Sequence, residues 1–260
     1  MDTNGFTYED EVDAAVVGAL SACVGVLELL VNYNDGDEHE EYVPRIPSSD
    51  RDRIRKKYME SIIGVDDVTS IKMICVNRRT FYQLYTVVRQ KKLLHDTLHV
   101  TVQEQLLMFL HTISHNVRNS VMSIHYRRSG ETVSRYFNHV LVALRQLHND
   151  YIRPPDDSIP DEIRSKDIYW PWFKDCIGTI DGTHVLASVP SDIVARFRGK
   201  ADKPTQNVLA AVRFDLSFSY VLAGWEGSAH DVTVLKDALQ RPNGLKFITA
   251  IYIYIAVMNL

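Results

Sequence analysis

Apolar residues recur at helical spacing from Asn77 to Leu147 and in strand-like runs from Ile168 onward, so the pattern changes character between the two. In NRRTFYQLYTVVRQKKLL, Phe81, Leu84, Tyr85 and Val88 fall on one helical stripe. TVQEQLLMFLHTISH opens with Thr101 and has Glu104 three residues on, the spacing of a capping box. Its stripe holds Leu106, Phe109, Leu110 and Ile113. After the short segment NSVMSIHYR, SGETVSRYFNHVLVALRQL predicts a third helix. Ser129 is its N-cap, and Val133, Phe137, Val140, Leu141 and Leu144 form its stripe. Upstream, RDRIRKKYME predicts a charged helix capped by Ser49 or Asp50.

The second half reads as strands. IGTIDGTHVLASV is the first, followed by a loop holding the basic stretch ARFRGKADK. NVLAAVRFD and SFSYVLAGW predict a hairpin through Asp215 and Leu216, HDVTVLKDAL a short helix, and FITAIYIYIAV a final strand. A strand, strand, strand, helix, strand order predicts that the last strand returns parallel to the first by a crossover. Two stretches read as linkers: acidic Asn32 to Asp50, broken by Pro44 and Pro47, and Asp150 to Lys166, with Pro154, Pro155 and Pro160. The expected organisation is an apolar helix plus acidic linker over 1–50, a helical domain over 51–150, and a sheet domain over 168–260. The fold class is α/β.

Ala14 to Val31 approaches the minimum length of a membrane span, yet it contains Ser21, Glu28 and two glycines, with Asp13 beside it. The acidic piece before it has no basic residue, unlike a signal peptide. It is read as a buried or partner-docking helix, with a membrane anchor as the alternative.

Composition narrows the function. The 260 residues are 45% hydrophobic and 24% charged, ordinary for a soluble protein, and a net charge of −4 excludes a general affinity for nucleic acid. Any such surface must be local. One candidate lies between His111 and Leu147, where Arg118, Arg127, Arg128, Arg135 and Arg145 face the single acid Glu131. Two short helices leading into a third suit a helix-turn-helix, whose last helix would bring Arg127, Arg128, Thr132 and Arg135 to a phosphate backbone. The same pattern serves packed helices that never meet DNA, and RDRIRKK reads equally as an import or nucleic-acid patch or as a solvated face. Cys23, Cys75 and Cys176 are too far apart for a metal motif and suggest a reducing compartment.

Three blocks then carry a resemblance: WFKDCIGTIDGTHV (Trp172 to Val185), FRGK (Phe197 to Lys200) and NVLAAVRFDLSFSYVLAGWEGSAHDVTVLKDAL (Asn207 to Leu239). Together they resemble the catalytic domain of Harbinger-type transposases and the nuclease-like proteins derived from them. The helices before them, in RRTFYQL, VQEQLLMFLHTISHNVRN and RRSGETVSRYFNHVL, are similar to the plant members. The resemblance covers most of Arg78 to Gly244. It implies an RNase H-like fold, a nuclear location with the cytoplasm as the alternative, and DNA cleavage by Mg²⁺ or Mn²⁺ held by two aspartates and a glutamate. A separate Myb-like protein often carries DNA binding in such systems. Three carboxylates make physical sense there, because paired hard cations need several oxygen ligands to activate water and stabilise the leaving oxygen.

By the resemblance, Asp181 is the first metal ligand. The second aspartate is expected near Tyr254 to Ala256, where no carboxylate stands, and no acidic residue follows Asp237. The expectation is therefore a C-terminally truncated nuclease that does not cut, with a non-catalytic DNA- or protein-binding module as the alternative. His184, Glu226, His230 and Asp231 are candidates to line the site; His184 is read as structural or close to substrate, and Asp231, after His230, as opening a helix where a carboxylate favours the dipole. Without further strands the final run would leave an exposed β-prone edge.

Overall fold

The computed structural model describes residues 47–154, 159–187, 189–199 and 203–245 and the strand Ile253–Ala256. The expectations for the apolar run Ala14 to Val31 and for most of the acidic linker lie outside these residues. The described residues fall into two compact units that divide between Gln146 and Leu147. No helix among them is long and apolar enough to cross a membrane.

The first unit is helical: α1 (Ser48–Ile63), α2 (Asp67–Ile74), α3 (Arg78–Gln90), α4 (Val102–His115), α5 (Asn119–Tyr126) and α6 (Gly130–Gln146). Side-chain caps start four of them. Asp66 accepts the Thr69 amide at 2.6 Å, Asn77 that of Thr80 at 2.7 Å, Thr101 that of Glu104 at 3.2 Å and Ser129 that of Thr132 at 3.2 Å. Helix α1 differs from expectation. Pro47 holds the cap position, its carbonyl accepting the Asp50 and Arg51 amides, so Ser49 and Asp50 lie inside the first turn.

The core forms around α4, which is buried continuously from Glu104 to His111. Phe81, Leu84 and Val88 of α3 and Val133, Val140, Leu141 and Leu144 of α6 are buried with it, along the stripes the spacing predicts. Tyr85, Ile113 and Phe137 are half-buried at the stripe edges, and the Phe137 ring packs 4.9 Å from that of Phe109. Each large side chain enclosed here contributes roughly 1.5–3 kcal/mol.

The second unit holds the sheet. Two single-turn helices, α7 (His148–Tyr151) and α8 (Asp161–Arg164), occupy part of the stretch expected to be pure linker. Then come β1 (Cys176–Leu186), α9 (Val194–Phe197), β2 (Thr205–Val212), β3 (Phe218–Glu226), α10 (Asp231–Gln240) and β4 (Ile253–Ala256). The sheet order is β3-β2-β1-β4. The first three strands form an antiparallel meander, and β4 joins β1 in parallel through Gly178↔Tyr254, Thr179↔Ile255 and Ile180↔Ala256. The hairpin turns at Asp215 and Leu216. Leu216 takes a positive φ of 66°, and Asp215 accepts the Ser217 amide at 2.9 Å.

Strand alternation gives this sheet two distinct faces. Ile180, Leu209, Ala211 and Leu222 point to the face that α10 covers with Val234 and Ala238. Asp181 and its register partner Ala210 belong to the other face.

Candidate functional site

Asp181 is exposed, and its Oδ1 accepts the amide of Gly182 at 2.8 Å. It stands one residue beyond the last paired position of the parallel ladder, Ile180↔Ala256. Anything that follows Ala256 in register would therefore run beside it.

Gly182 explains the second letter of the DGTH sequence. A Cβ built there would lie 2.7 Å from Oδ1 of Asp231, so the carboxylate that opens α10 packs directly on this glycine. Asp231 is held in place by Asn207, a buried residue of β2 whose Nδ2 donates to Asp231 Oδ1 at 2.7 Å and to the Ala229 carbonyl at 3.1 Å. Asp231 is the first helical residue rather than the cap. His230 takes the cap position without a side-chain bond and is exposed. Asp231 thus favours the positive end of the helix and anchors it to the sheet.

The other site residues do not gather around Asp181. His184, three residues on, shares the face of Gly182 and Asp231, and its Nδ1 lies 3.1 Å from the Thr205 hydroxyl. Glu226 pairs with Arg196 of α9. It shares the row of Val185 and Gln206, two strands across, about 9.5 Å, and four residues along, about 13 Å, from Asp181. Among the described residues no three His, Cys, Asp or Glu side chains converge to hold a metal. The donor set among the described residues does not fit a paired Mg²⁺ or Mn²⁺ centre, since Glu226, on the same face as Asp181, lies far along the sheet and Asp231 is tied down on the opposite face.

A cleft of about 790 Å³ opens beside edge strand β3, lined by His148, Ile152, Tyr220 and Arg241 among others. Arg241 and Trp225 both donate to Asp237 Oδ2, each at 2.8 Å, and these bonds hold its carboxyl below the usual range. Asp181 does not line this cleft.

In the helical unit the arginines separate into different roles. Arg118 sits at the N-cap of α5 and Arg127 at its C-cap, where it takes φ 50°. Both are exposed. Arg128, expected at the phosphate-facing surface, is instead turned inward: Nε and Nη2 grip the two oxygens of Glu104 at 2.7 and 3.0 Å. Arg55 of α1 reaches the same carboxylate at 3.3 Å. Glu104 therefore serves two guanidiniums in the core and does not close the capping box that its spacing announces. Arg135 pairs with Glu131 at 2.6 Å on the surface, and the Thr132 hydroxyl lies 2.9 Å from that of Ser129.

One cluster was not singled out by the sequence pattern. His111 is buried, its Nδ1 3.5 Å from the Tyr58 hydroxyl, and the rings of His115 and His125 lie 5.9 and 5.8 Å away. Burial first, then these two histidines, push its pKa down to about 4. Only the i, i+4 spacing of His111 and His115 could have signalled it, because His125 comes from the next helix.

Residues 51–146 match the family model of a domain of unknown function, DUF8040, which spans nearly all of the helical unit. No curated protein and no solved structure matches the chain.

Proposed function

We propose that the sheet unit is an RNase H-like scaffold derived from a Harbinger-type transposase nuclease, with Asp181 in the place of its first metal ligand. The observation that carries this reading is the sheet itself. Its order β3-β2-β1-β4, with β4 parallel to β1 after a helix, places Asp181 where the parallel ladder ends. A carboxylate carried just beyond β4 would complete half of a metal site there. These 260 residues place Val257, Met258, Asn259 and Leu260 after Ala256, none of them a carboxylate. Within these 260 residues Asp181 is therefore expected to act as a lone ligand, and no metal-dependent cutting is expected of them.

The test is DNA cleavage by the purified 260-residue chain in Mg²⁺ and in Mn²⁺. No cleavage above that of Asp181→Asn is expected. Cleavage that disappears in Asp181→Asn overturns the reading of an uncutting scaffold.

A second reading, DNA binding by the helical unit through a helix-turn-helix of α4 to α6, has its own support. Residues 47–146 hold sixteen Lys and Arg against eight Asp and Glu, in a chain whose net charge is −4. Arg118 and Arg127, exposed at the two ends of α5, are its foremost cations. A Myb-like partner that supplies DNA contacts instead would leave this unit a protein-binding module. Binding to duplex DNA that weakens steeply with salt favours the first role, and salt-insensitive capture of such a partner favours the second.

A further inference from the structure

Between α8 and β1 the sheet unit displays an ordered aromatic surface that neither the nuclease reading nor the DNA-binding reading uses. Ser165 to Lys174 are ten consecutive exposed residues. Among them Ile168 is 75% and Trp172 80% exposed, and Tyr169, Trp170 and Phe173 are each 38% exposed. This is no frayed tail. The Trp170 amide donates to the Lys166 carbonyl at 3.0 Å, that of Phe173 to Tyr169 at 2.9 Å and that of Cys176 to Phe173 at 2.9 Å. Cys176, buried, then starts β1. Five large apolar side chains fixed on one turn mark an interaction surface, since lone exposed apolar residues are ordinary but contiguous ones are not.

We propose that this surface is the docking site for the apolar segment Ala14 to Val31 of the same chain. That segment is eighteen residues with Glu28 as its single charge, about 27 Å long if helical. It needs apolar cover for the same reason that the aromatic turn does. The other apolar run outside the helices, which ends the chain, has its residues Ile253–Ala256 already paired to β1. Sixteen residues, Asn32 to Pro47, join the segment to α1, a reach of up to about 55 Å.

The intact chain reports on this directly, because Trp170 and Trp172 are two of its three tryptophans. The third, Trp225, is half-buried and bonded to Asp237. With the segment docked, acrylamide quenches the tryptophans of the full-length protein far less than the exposures above would give. Leu27→Glu with Leu30→Glu then shifts emission to the red and raises quenching severalfold, while circular dichroism and the thermal transition are retained. As an independent measurement, Trp172→Cys in a Cys75→Ser chain forms an intramolecular disulfide with Cys23 under mild oxidation. Three results overturn the proposal. The tryptophans of the unsubstituted chain are as quenchable as in denaturant. Protection appears only as concentration rises and the disulfide joins two chains, which makes a second copy the occupant. Or phosphatidylcholine vesicles bind through Leu27 and Leu30 while the tryptophans stay exposed in water, which makes the segment a membrane anchor.

Discussion

Glu104 shows how much one carboxylate can hold. It is 3% exposed and neutralises Arg55 and Arg128, which are themselves largely enclosed. Replacing it by Gln leaves Arg128 without its counter-charge and Arg55 with only the exposed Asp52, so Glu104→Gln is expected to lose about 3–5 kcal/mol of unfolding free energy. A urea titration measures this, and a loss under about 1 kcal/mol would mean the pairs behave as surface ion pairs. His111 gives a pH dependence of definite sign. Its folded pKa of about 4 lies below its ordinary 6.5, so the unfolded chain takes up the proton first as pH falls. Its contribution to stability is complete above the ordinary value and is lost as pH falls through the folded value. Melting of the wild type should decline between pH 7 and pH 4 more steeply than that of His111→Phe. Parallel curves would show that another group governs the decline.

At the scale of elements, the join between β1, β2 and α10 rests on Asn207, Asp231 and Gly182. Asn207→Ala strands a carboxylate and a backbone carbonyl, and a loss of about 1–3 kcal/mol is expected in the same titration. Gly182→Ala puts a methyl group into the Asp231 carboxylate and is expected to loosen the start of α10, read as faster amide exchange over its first turn. Unchanged exchange would show that Asp231 can move aside freely. The stripes of α3, α4 and α6, the Ser129 cap and the turn at Asp215 were legible in sequence because they depend on neighbours within a few residues. Glu104 was misread as closing a capping box and Arg128 as facing solvent because their partners lie 24 residues apart in the chain. Periodicity carries no such pairing. Similarly, DGTH announces a close approach at Gly182 but cannot say that the approaching group is Asp231, which the fold brings in from α10.

Across the whole molecule, positive charge is concentrated in the helical unit while the sheet unit carries the lone Asp181. If α5 meets DNA, the Arg118→Ala/Arg127→Ala chain loses affinity and its slope of log affinity against log salt falls by about 2, close to one per phosphate contact. An unchanged slope would move the interface elsewhere. The parallel return of β4 was readable from the order of elements alone, whereas the isolation of Asp181 from Asp231 needed the faces of the sheet. The most direct test of the proposed nuclease-derived scaffold follows from the ladder that ends at Ile180↔Ala256, since Val257 follows Ala256 in sequence as Asp181 follows Ile180. Mn²⁺ binding, followed by water-proton relaxation, should rise clearly in Val257→Asp over the wild type and vanish in Asp181→Asn/Val257→Asp. Binding in Val257→Asp no tighter than in the wild type, or binding that survives Asp181→Asn, would contradict it.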